Sequence, residues 1–171
     1  KTSVAKIFAR AVNCLSPLAD GSPCGKCENC VELASNSNFD ILEIDAASNN
    51  SVDQIRELTD KIGFPPTVGK YKVYIVDEVH MLSKAAFNAL LKTLEEPPSH
   101  AIFILATTEI HQIPATILSR CLRFDFRLVP NGVIAKRIRF IFDDIGVKYE
   151  NEAVDLIASA GAGSVRDALS V

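Results

Sequence analysis

The sequence has no apolar run long enough to cross a membrane, no cleavable signal pattern at its start and no excess of basic residues. The first two absences lead us to expect a cytoplasmic protein with no membrane partner. The net charge is -3, from 18 Lys and Arg against 21 Asp and Glu. A domain of this charge does not attract nucleic acid over its whole surface, so any DNA contact must be local or shared with other subunits.

The overall composition is that of an ordinary folded protein. Hydrophobic residues make up 48% of the chain and charged residues 23%. At 171 residues the chain is long enough for one full hydrophobic core and a small additional subdomain.

The sequence is organised around residues 72–82, KVYIVDEVHML. The uninterrupted apolar run at residues 73–76 predicts a strand buried on both faces, as in a parallel sheet covered by helices. Asp77 and Glu78 follow at its carboxyl end, where such sheets bind ligands. A metal-bound polyphosphate would explain two charges there: Asp77 would hold Mg2+ and Glu78 would polarise the attacking water. The alternative is a strand that simply ends in solvent.

The chain begins with Lys1 and Thr2, followed by apolar residues at helical spacing. A Lys-Thr pair at a helix start is also the end of a P-loop, where backbone amides and the helix dipole face phosphates. The glycine half of that loop, G-x-x-x-x-G, is absent, and we expect it immediately before Lys1. Without those amides we expect the 171-residue chain alone to bind ATP poorly and to be inactive as an ATPase.

Four of the five cysteines lie within residues 14–30, CLSPLADGSPCGKCENC. In a cytosolic chain such clustering favours a metal over disulfides. The C-x-x-C-x-x-C spacing converges on one ion and a fourth thiolate completes a closed tetrahedron, which predicts structural Zn2+ rather than a catalytic metal. An iron–sulfur cluster is the main alternative, but Ala34 stands where ferredoxin-like runs continue with cysteine. The four predicted zinc ligands are Cys14, Cys24, Cys27 and Cys30.

Further strands and helices follow from periodicity. Strands are predicted at residues 39–44, 101–106 and 122–126. Helices are predicted at 52–62, after Ser83, from Ala115, from Pro130 to before Gly146, at 152–160 and at 164–171. Thr107 and Thr108 end the 101–106 strand and either orient the water or serve only as turn hydroxyls. His80 follows the acidic pair and either hydrogen-bonds near the site or, as the favoured interpretation, is a structural imidazole. Cys121, far from the other cysteines, is predicted to be an ordinary buried thiol.

The order of these features resembles the AAA+ ATPases, and within them the gamma/tau family of bacterial DNA polymerase III clamp-loader subunits. The resemblance covers essentially the whole chain. Its most specific parts are CGKCENC, DAASNNSVDQIREL, VDEVHMLSKAAFNALLKTLEEPP, ILSRC and GSVRDALS.

The resemblance implies roles for the residues around the nucleotide. Lys1 and Thr2 are the surviving end of the Walker A motif, which contacts the beta and gamma phosphates and Mg2+. Asp77 and Glu78 are the Walker B pair, metal ligand and general base.

Three further polar residues receive roles from the resemblance. Thr108 is the sensor 1 group, with Thr107 the alternative if the strand ends one residue earlier. Arg166 matches the sensor 2 arginine of the lid. Arg120, in Ser-Arg-Cys, matches the arginine finger that acts on the ATP of a neighbouring subunit.

The resemblance also implies the architecture and the partners. The fold is an α/β AAA+ core with a parallel sheet flanked by helices at residues 1–127, a four-cysteine zinc knuckle inserted at 14–30, and an incomplete helical lid at 128–171. ATP, Mg2+ and structural Zn2+ are the implied cofactors. The implied partners are the other subunits of a five-membered ring, the sliding clamp and primer-template DNA, on which ATP hydrolysis releases the clamp.

Two alternatives remain from other classes of function. One is a non-hydrolysing scaffold of the same complex, similar to the delta-prime subunit. The other is a zinc-knuckle module that binds nucleic acid. Against the second, Lys26 is the only basic residue between Cys14 and Cys30.

Overall fold

A computed structural model gives the structure of the chain and describes residues 1–35, 38–49 and 51–171. The chain divides into two compact units, Lys1–Arg123 and Phe124–Val171. In the part that the structure describes, no helix has the length and apolar character needed to span a membrane.

The first unit combines a three-stranded sheet with helices that lie before, between and after its strands in the chain. Its strands are β1 (Ile41–Asp45), β2 (Lys72–Asp77) and β3 (Ala101–Leu105). Its α-helices are α1 (Thr2–Val12), α2 (Glu28–Glu32), α3 (Val52–Ile62), α4 (Lys84–Glu95) and α5 (Ala115–Leu118). Single 3-10 turns lie at Val79–Met81 and Ile110–Gln112.

The strand β2 lies at the centre of the sheet, in the order β1-β2-β3, and both pairings are parallel. Because side chains alternate along a strand, β2 contributes to two cores. Val73 and Ile75 pack with α1, whereas Tyr74 and Val76 pack with α3 and α4. All four side chains are fully buried. The predicted parallel sheet with helices on both faces, and its doubly buried central strand, are confirmed.

Serine side chains begin the two helices that cover one face of the sheet. The hydroxyl of Ser51 accepts the N–H of Gln54, whose side chain bonds back to the Ser51 N–H, which is a capping box. The hydroxyl of Ser83 accepts the N–H of Ala86 at the start of α4. These caps fix where α3 and α4 start, and so where the loops after β1 and β2 end.

The second unit is helical. It contains α6 (Asn131–Asp144), α7 (Asn151–Ala160) and the short α8 (Val165–Ala168). Ile134 and Ile138 of α6 pack against Val154 and Ala158 of α7 in a core of their own. On the surface of this pair, Arg139 bonds to Asp155 across 2.7 Å.

Two sequence predictions are wrong in the segment that follows α5. Residues 122–126 form no strand, because the sheet of the described residues consists of β1, β2 and β3 and ends at β3. Cys121 is exposed rather than buried, since the chain has already left the core at the end of α5.

A buried carboxylate joins the start of β1 to the loop before β2. Asp40 is 1% exposed and accepts four hydrogen bonds of 2.7 to 3.0 Å from the backbone of Thr67, Val68 and Gly69 and the Thr67 hydroxyl. Burial acts to raise the pKa of Asp40, but these bonds outweigh it and hold the pKa below its usual 3.8. Gly69 is required here, because a Cβ would lie 2.5 Å from Oδ1 of Asn13.

We expect Asp40→Asn to lower the free energy of unfolding by about 3 kcal/mol, because an amide nitrogen cannot accept the N–H groups that one carboxylate oxygen accepts. The folded pKa lies below the unfolded one, so the contribution is full above about pH 4 and is lost as pH falls through the folded pKa. The difference between wild type and variant should therefore shrink on acidification. Urea unfolding followed by circular dichroism at neutral and acidic pH measures it.

The exposed Asp60 of α3 provides the matched control. Asp60→Asn makes the same chemical change on the surface of the same unit and should cost less than about 0.5 kcal/mol. Equal losses for the two variants would contradict the role given to Asp40.

Candidate functional site

The carboxyl edge of the sheet brings together the polar residues that follow β2 and β3. The register pairs Val76 with Leu105, and the N–H of Val79 donates to the carbonyl of Ala106 across 2.9 Å. The loops after the two strands therefore leave the sheet side by side. This is the edge at which parallel sheets bind ligands.

The start of α1 meets the end of β2 at this edge. The hydroxyl of Thr2 donates to Oδ2 of Asp77 across 2.5 Å, although 75 residues separate them in the chain. Lys1 precedes the helix and its Nζ donates to the carbonyl of Thr107. The hydroxyl of Thr2 and the carboxylate of Asp77 are oxygen ligands of the kind that Mg2+ binds. The ammonium of Lys1 and the N–H groups of the first turn of α1 are donors for phosphate. The residues present therefore fit a metal-bound nucleotide.

Glu78 adopts a left-handed backbone conformation, with φ 46° and ψ 44°. For a residue with a Cβ this costs about 1 kcal/mol or more. The conformation turns the chain between β2 and the 3-10 turn that follows. Oε2 of Glu78 accepts the hydroxyl of Thr108 at 3.0 Å and the N–H of Thr108 at 3.3 Å. The side chain is 38% exposed, so it lies at the mouth of the site and not within the core.

His80 also contacts Glu78, the alternative that the sequence analysis favoured less than a structural imidazole. Its Nδ1 lies 3.3 Å from Oε2 of Glu78 and 3.0 Å from the hydroxyl of Thr107. Thr107 therefore contacts the imidazole while Thr108 contacts the carboxylate, and this difference favours Thr108 for the predicted sensor role. The one signal in the sequence was the position of His80, two residues after Glu78.

Arg120 lies at the end of α5 and does not join this cluster in the part of the chain that the structure describes. Its Nη2 pairs with Oε1 of Glu95 at 2.9 Å, and its Nη1 donates to the carbonyl of Thr116 at 2.7 Å. Its side chain is 36% exposed. A role toward the nucleotide of another subunit stays a prediction.

Arg166 belongs to α8 of the second unit, one residue after the start of that helix. The hydroxyl of Ser164 begins the helix by accepting the N–H of Asp167. The predicted contact of Arg166 with nucleotide also stays a prediction.

The four predicted metal ligands come together at the other end of α1. The sulfur atoms of Cys14, Cys24, Cys27 and Cys30 all lie within 4.8 Å of one another. Cys14 and Cys27 are 3.9 Å apart, and Cys24 and Cys30 are 4.0 Å apart. Four sulfurs at about 2.3 Å from one zinc ion would lie about 3.8 Å apart in a tetrahedron. The cluster therefore has the size of a single-ion site.

Backbone groups around the cluster point at the sulfur atoms and change their acidity. The N–H groups of Leu15 and Cys30 lower the pKa of Cys27 to about 6. The N–H groups of Lys26 and Cys27 lower the pKa of Cys24. Burial raises the pKa of Cys30 to about 12. A cation at the centre is what would keep all four as thiolates, since a coordinated thiol is deprotonated.

Comparisons with protein families cover both units of the chain. Residues 1–130 match the family described as "DNA polymerase III, delta subunit". Residues 133–171 match the family described as "DNA polymerase III clamp loader subunit, ATPase lid domain".

Curated relatives align with the whole chain. It is 56% identical to DNA polymerase III subunit tau of Bacillus subtilis (strain 168) and 46% identical to DNA polymerase III subunit tau of Escherichia coli (strain K12), over 171 residues in both cases. These alignments cover 100% of the chain but 30% and 26% of the relatives. The chain thus spans less than a third of their length.

Solved structures share the fold. A DNA polymerase III gamma subunit-related protein of Thermotoga maritima aligns with a TM-score of 0.55 at 26% identity, over 94% of this chain and 57% of that one. The Thermotoga maritima Holliday junction branch migration motor RuvB aligns with a TM-score of 0.60 at 20% identity, over 83% of this chain and 46% of that one. At that identity the second match concerns the fold alone.

Proposed function

The chain belongs to the gamma/tau family of DNA polymerase III clamp-loader subunits, and from this premise we propose that the whole protein hydrolyses ATP to load a sliding clamp on primed DNA. The observation that carries the proposal is the cluster at the carboxyl edge of the sheet. There Thr2 contacts Asp77, and Thr108 contacts Glu78. Two metal ligands beside an oriented general base are the groups that phosphoryl transfer to water requires.

In this proposal Lys1 would bind the phosphates, and Thr2 and Asp77 would hold Mg2+. Arg166, in the second unit, keeps the role toward nucleotide that the resemblance implies. Bound Mg2+ neutralises charge that develops on the phosphate oxygens. Glu78 accepts a proton from the attacking water, because its carboxylate lies at the open mouth of the site. Thr108 holds that carboxylate through its hydroxyl and its N–H.

Hydrolysis would also depend on assembly. We assign Arg120 to the site of a neighbouring subunit, because the resemblance matches it to an arginine finger and its guanidinium pairs with Glu95 at the end of α5, apart from the carboxylates of Asp77 and Glu78. The proposed partners are the other clamp-loader subunits, the sliding clamp and primer-template DNA, and the proposed place of action is the cytoplasm. Since the chain covers part of its relatives only, these partners are proposed for the whole protein.

A non-hydrolysing scaffold is the second candidate, and the description of the family matched by residues 1–130 names a delta subunit. The contacts of Asp77 and Glu78 speak against it. A scaffold that does not hydrolyse ATP needs neither a hydroxyl 2.5 Å from the carboxylate of Asp77 nor a threonine bonded to the carboxylate of Glu78.

The test of the proposal uses the full-length protein assembled with the other subunits. ATP hydrolysis should be stimulated when clamp and primed DNA are added together, and clamps should accumulate on the DNA. A complex in which this subunit binds no ATP and loads clamps unchanged would support the scaffold instead.

We also propose that the cysteine cluster holds one structural Zn2+. All four sulfurs lie within 4.8 Å of one another, and four thiolates on one Zn2+ would leave no coordination position for a substrate. Gly25 allows the turn between Cys24 and Cys27 with φ +69°, a conformation that costs glycine little. A cluster of several iron atoms would spread its ligands over different metals, whereas these sulfurs fit around one ion.

The full-length protein should contain about one zinc per chain, and Cys30→Ser should reduce this to near zero, because a closed site with three thiolates loses its geometry. Zinc should also be released as pH falls, since protons compete for the thiolates. Metal analysis after dialysis measures both effects. Cys121→Ser is the matched control, because Cys121 is exposed and outside the cluster. Equal zinc in wild type and Cys30→Ser would contradict the assignment.

A further inference from the structure

The contacts of Glu78 include a residue that the proposed reaction does not yet use. We propose that His80, held by Thr107, is a positioning residue that fixes the Glu78 carboxylate for proton abstraction. This inference rests on the proposed function, in which Glu78 is the general base. It adds a second support to the carboxylate beside Thr108.

The geometry of Nδ1 carries the inference. This one nitrogen lies 3.3 Å from Oε2 of Glu78 and 3.0 Å from the hydroxyl of Thr107. The hydrogen bond to Thr107 orients the ring, and the same nitrogen lies within ion-pair distance of the carboxylate. The hydroxyl of Thr107 also accepts the N–H of Glu109 at 2.9 Å, which fixes its position. The imidazole is therefore oriented by an anchored hydroxyl while it faces the base.

The other two histidines make contacts of a different kind from those of His80. Nε2 of His100 bonds to the carbonyl of Ile62 at 3.0 Å, a contact that joins loop to helix. Nε2 of His111 lies 3.5 Å from Oε2 of Glu109 on a side chain that is 72% exposed. The side chain of His80 is 12% exposed, and its partner is the carboxylate at the site. A histidine with only a structural role would contact backbone or core, as His100 does.

The backbone explains why Glu78 needs support from both sides. Its left-handed conformation starts the 3-10 turn Val79–Met81, which carries His80 back toward the carboxylate. The carboxylate is 38% exposed, so packing alone does not hold it. Its Oε2 is instead held between Thr108 on one loop and His80 on the other. An error of about 1 Å in the position of a reacting group can cost about 10²-fold in rate.

The test compares His80 variants of the full-length protein in the assembled complex. His80→Ala should lower kcat for ATP by about 10- to 100-fold, with KM and ATP affinity within about twofold of wild type. His80→Asn should recover most of kcat, because its amide places a donor near the position of Nδ1. His80→Gln, whose amide reaches the position of Nε2, should remain as low as the alanine variant. A kcat of His80→Ala within twofold of wild type would overturn the inference, as would an asparagine variant no better than alanine.

Two further measurements separate this inference from the proposed function. In the Glu78→Gln background, His80→Ala should cause no additional loss, because a residue that acts through Glu78 has nothing left to position. A full additional loss would refute positioning through Glu78 while leaving the ATPase intact as a proposal. If Glu78→Gln alone retains wild-type turnover, the proposed role of Glu78 fails and the role of His80 with it. His111→Ala, which breaks an exposed histidine–glutamate contact, is the matched control and should leave kcat within about twofold of wild type.

Discussion

Glu78→Gln is expected to lower ATP turnover in the assembled complex by about 10²- to 10⁴-fold while ATP still binds. The glutamine side chain has nearly the same shape, and its carbonyl oxygen can still accept the Thr108 hydroxyl that now bonds to Oε2 at 3.0 Å. What it loses is the ability to accept a proton from water. The residues assigned to the phosphates and the metal, Lys1, Thr2 and Asp77, are unchanged in this variant.

The measurement therefore separates binding from chemistry. Equilibrium binding of ATP should stay within about threefold of wild type, and single-turnover hydrolysis should show the loss, because the missing interaction belongs to the transition state. Glu152→Gln is the control, since Glu152 lies exposed in the first turn of α7. Retained hydrolysis in Glu78→Gln would remove Glu78 from the reaction. A loss of ATP binding would instead assign it to the nucleotide contacts.

Much of the first unit was predictable because its signals are local. The run at residues 73–76 has no polar residue, and such a run is buried on both faces of a parallel sheet. The apolar spacing at residues 52–62 predicted α3, which the structure shows at Val52–Ile62. Parallel strands end at one edge, so the polar residues after β2 and β3 had to come close together. The cysteine spacing likewise predicted a cluster that the structure confirms.

The parts that escaped prediction depend on partners far away in the chain. Asp40 looks like an ordinary polar residue within the predicted strand 39–44, and its four donors come from a loop 27 to 29 residues later. His80 contacts Thr107 across 27 residues, and no periodicity records such a contact. The left-handed conformation of Glu78 is unusual for a residue with a Cβ, so propensity argued against it. Residues 122–126 alternate as a strand does, but alternation cannot supply a pairing partner.

Arg120→Ala is expected to lower turnover in the assembled complex by about 10³-fold or more, because an arginine supplied by a neighbour stabilises the charge of the phosphoryl transition state. In the structure this arginine pairs with Glu95 on the surface of its own subunit. An exposed pair of this kind contributes less than about 1 kcal/mol, whereas a 10³-fold rate effect corresponds to about 4 kcal/mol. Breaking the Arg120–Glu95 pair therefore costs less free energy than the arginine contributes to the transition state at the neighbouring site.

The dependence on assembly makes this prediction specific. ATP affinity and the slow turnover of the unassembled full-length protein should stay within about twofold of wild type in Arg120→Ala, since the arginine acts on another subunit. Arg120→Lys should remain strongly impaired, because an ammonium lacks the planar fork of donors. Glu95→Gln removes the charge of the surface partner and should leave assembled turnover at or slightly above the wild-type rate. An equal loss of turnover before and after assembly would show that Arg120 acts within its own subunit.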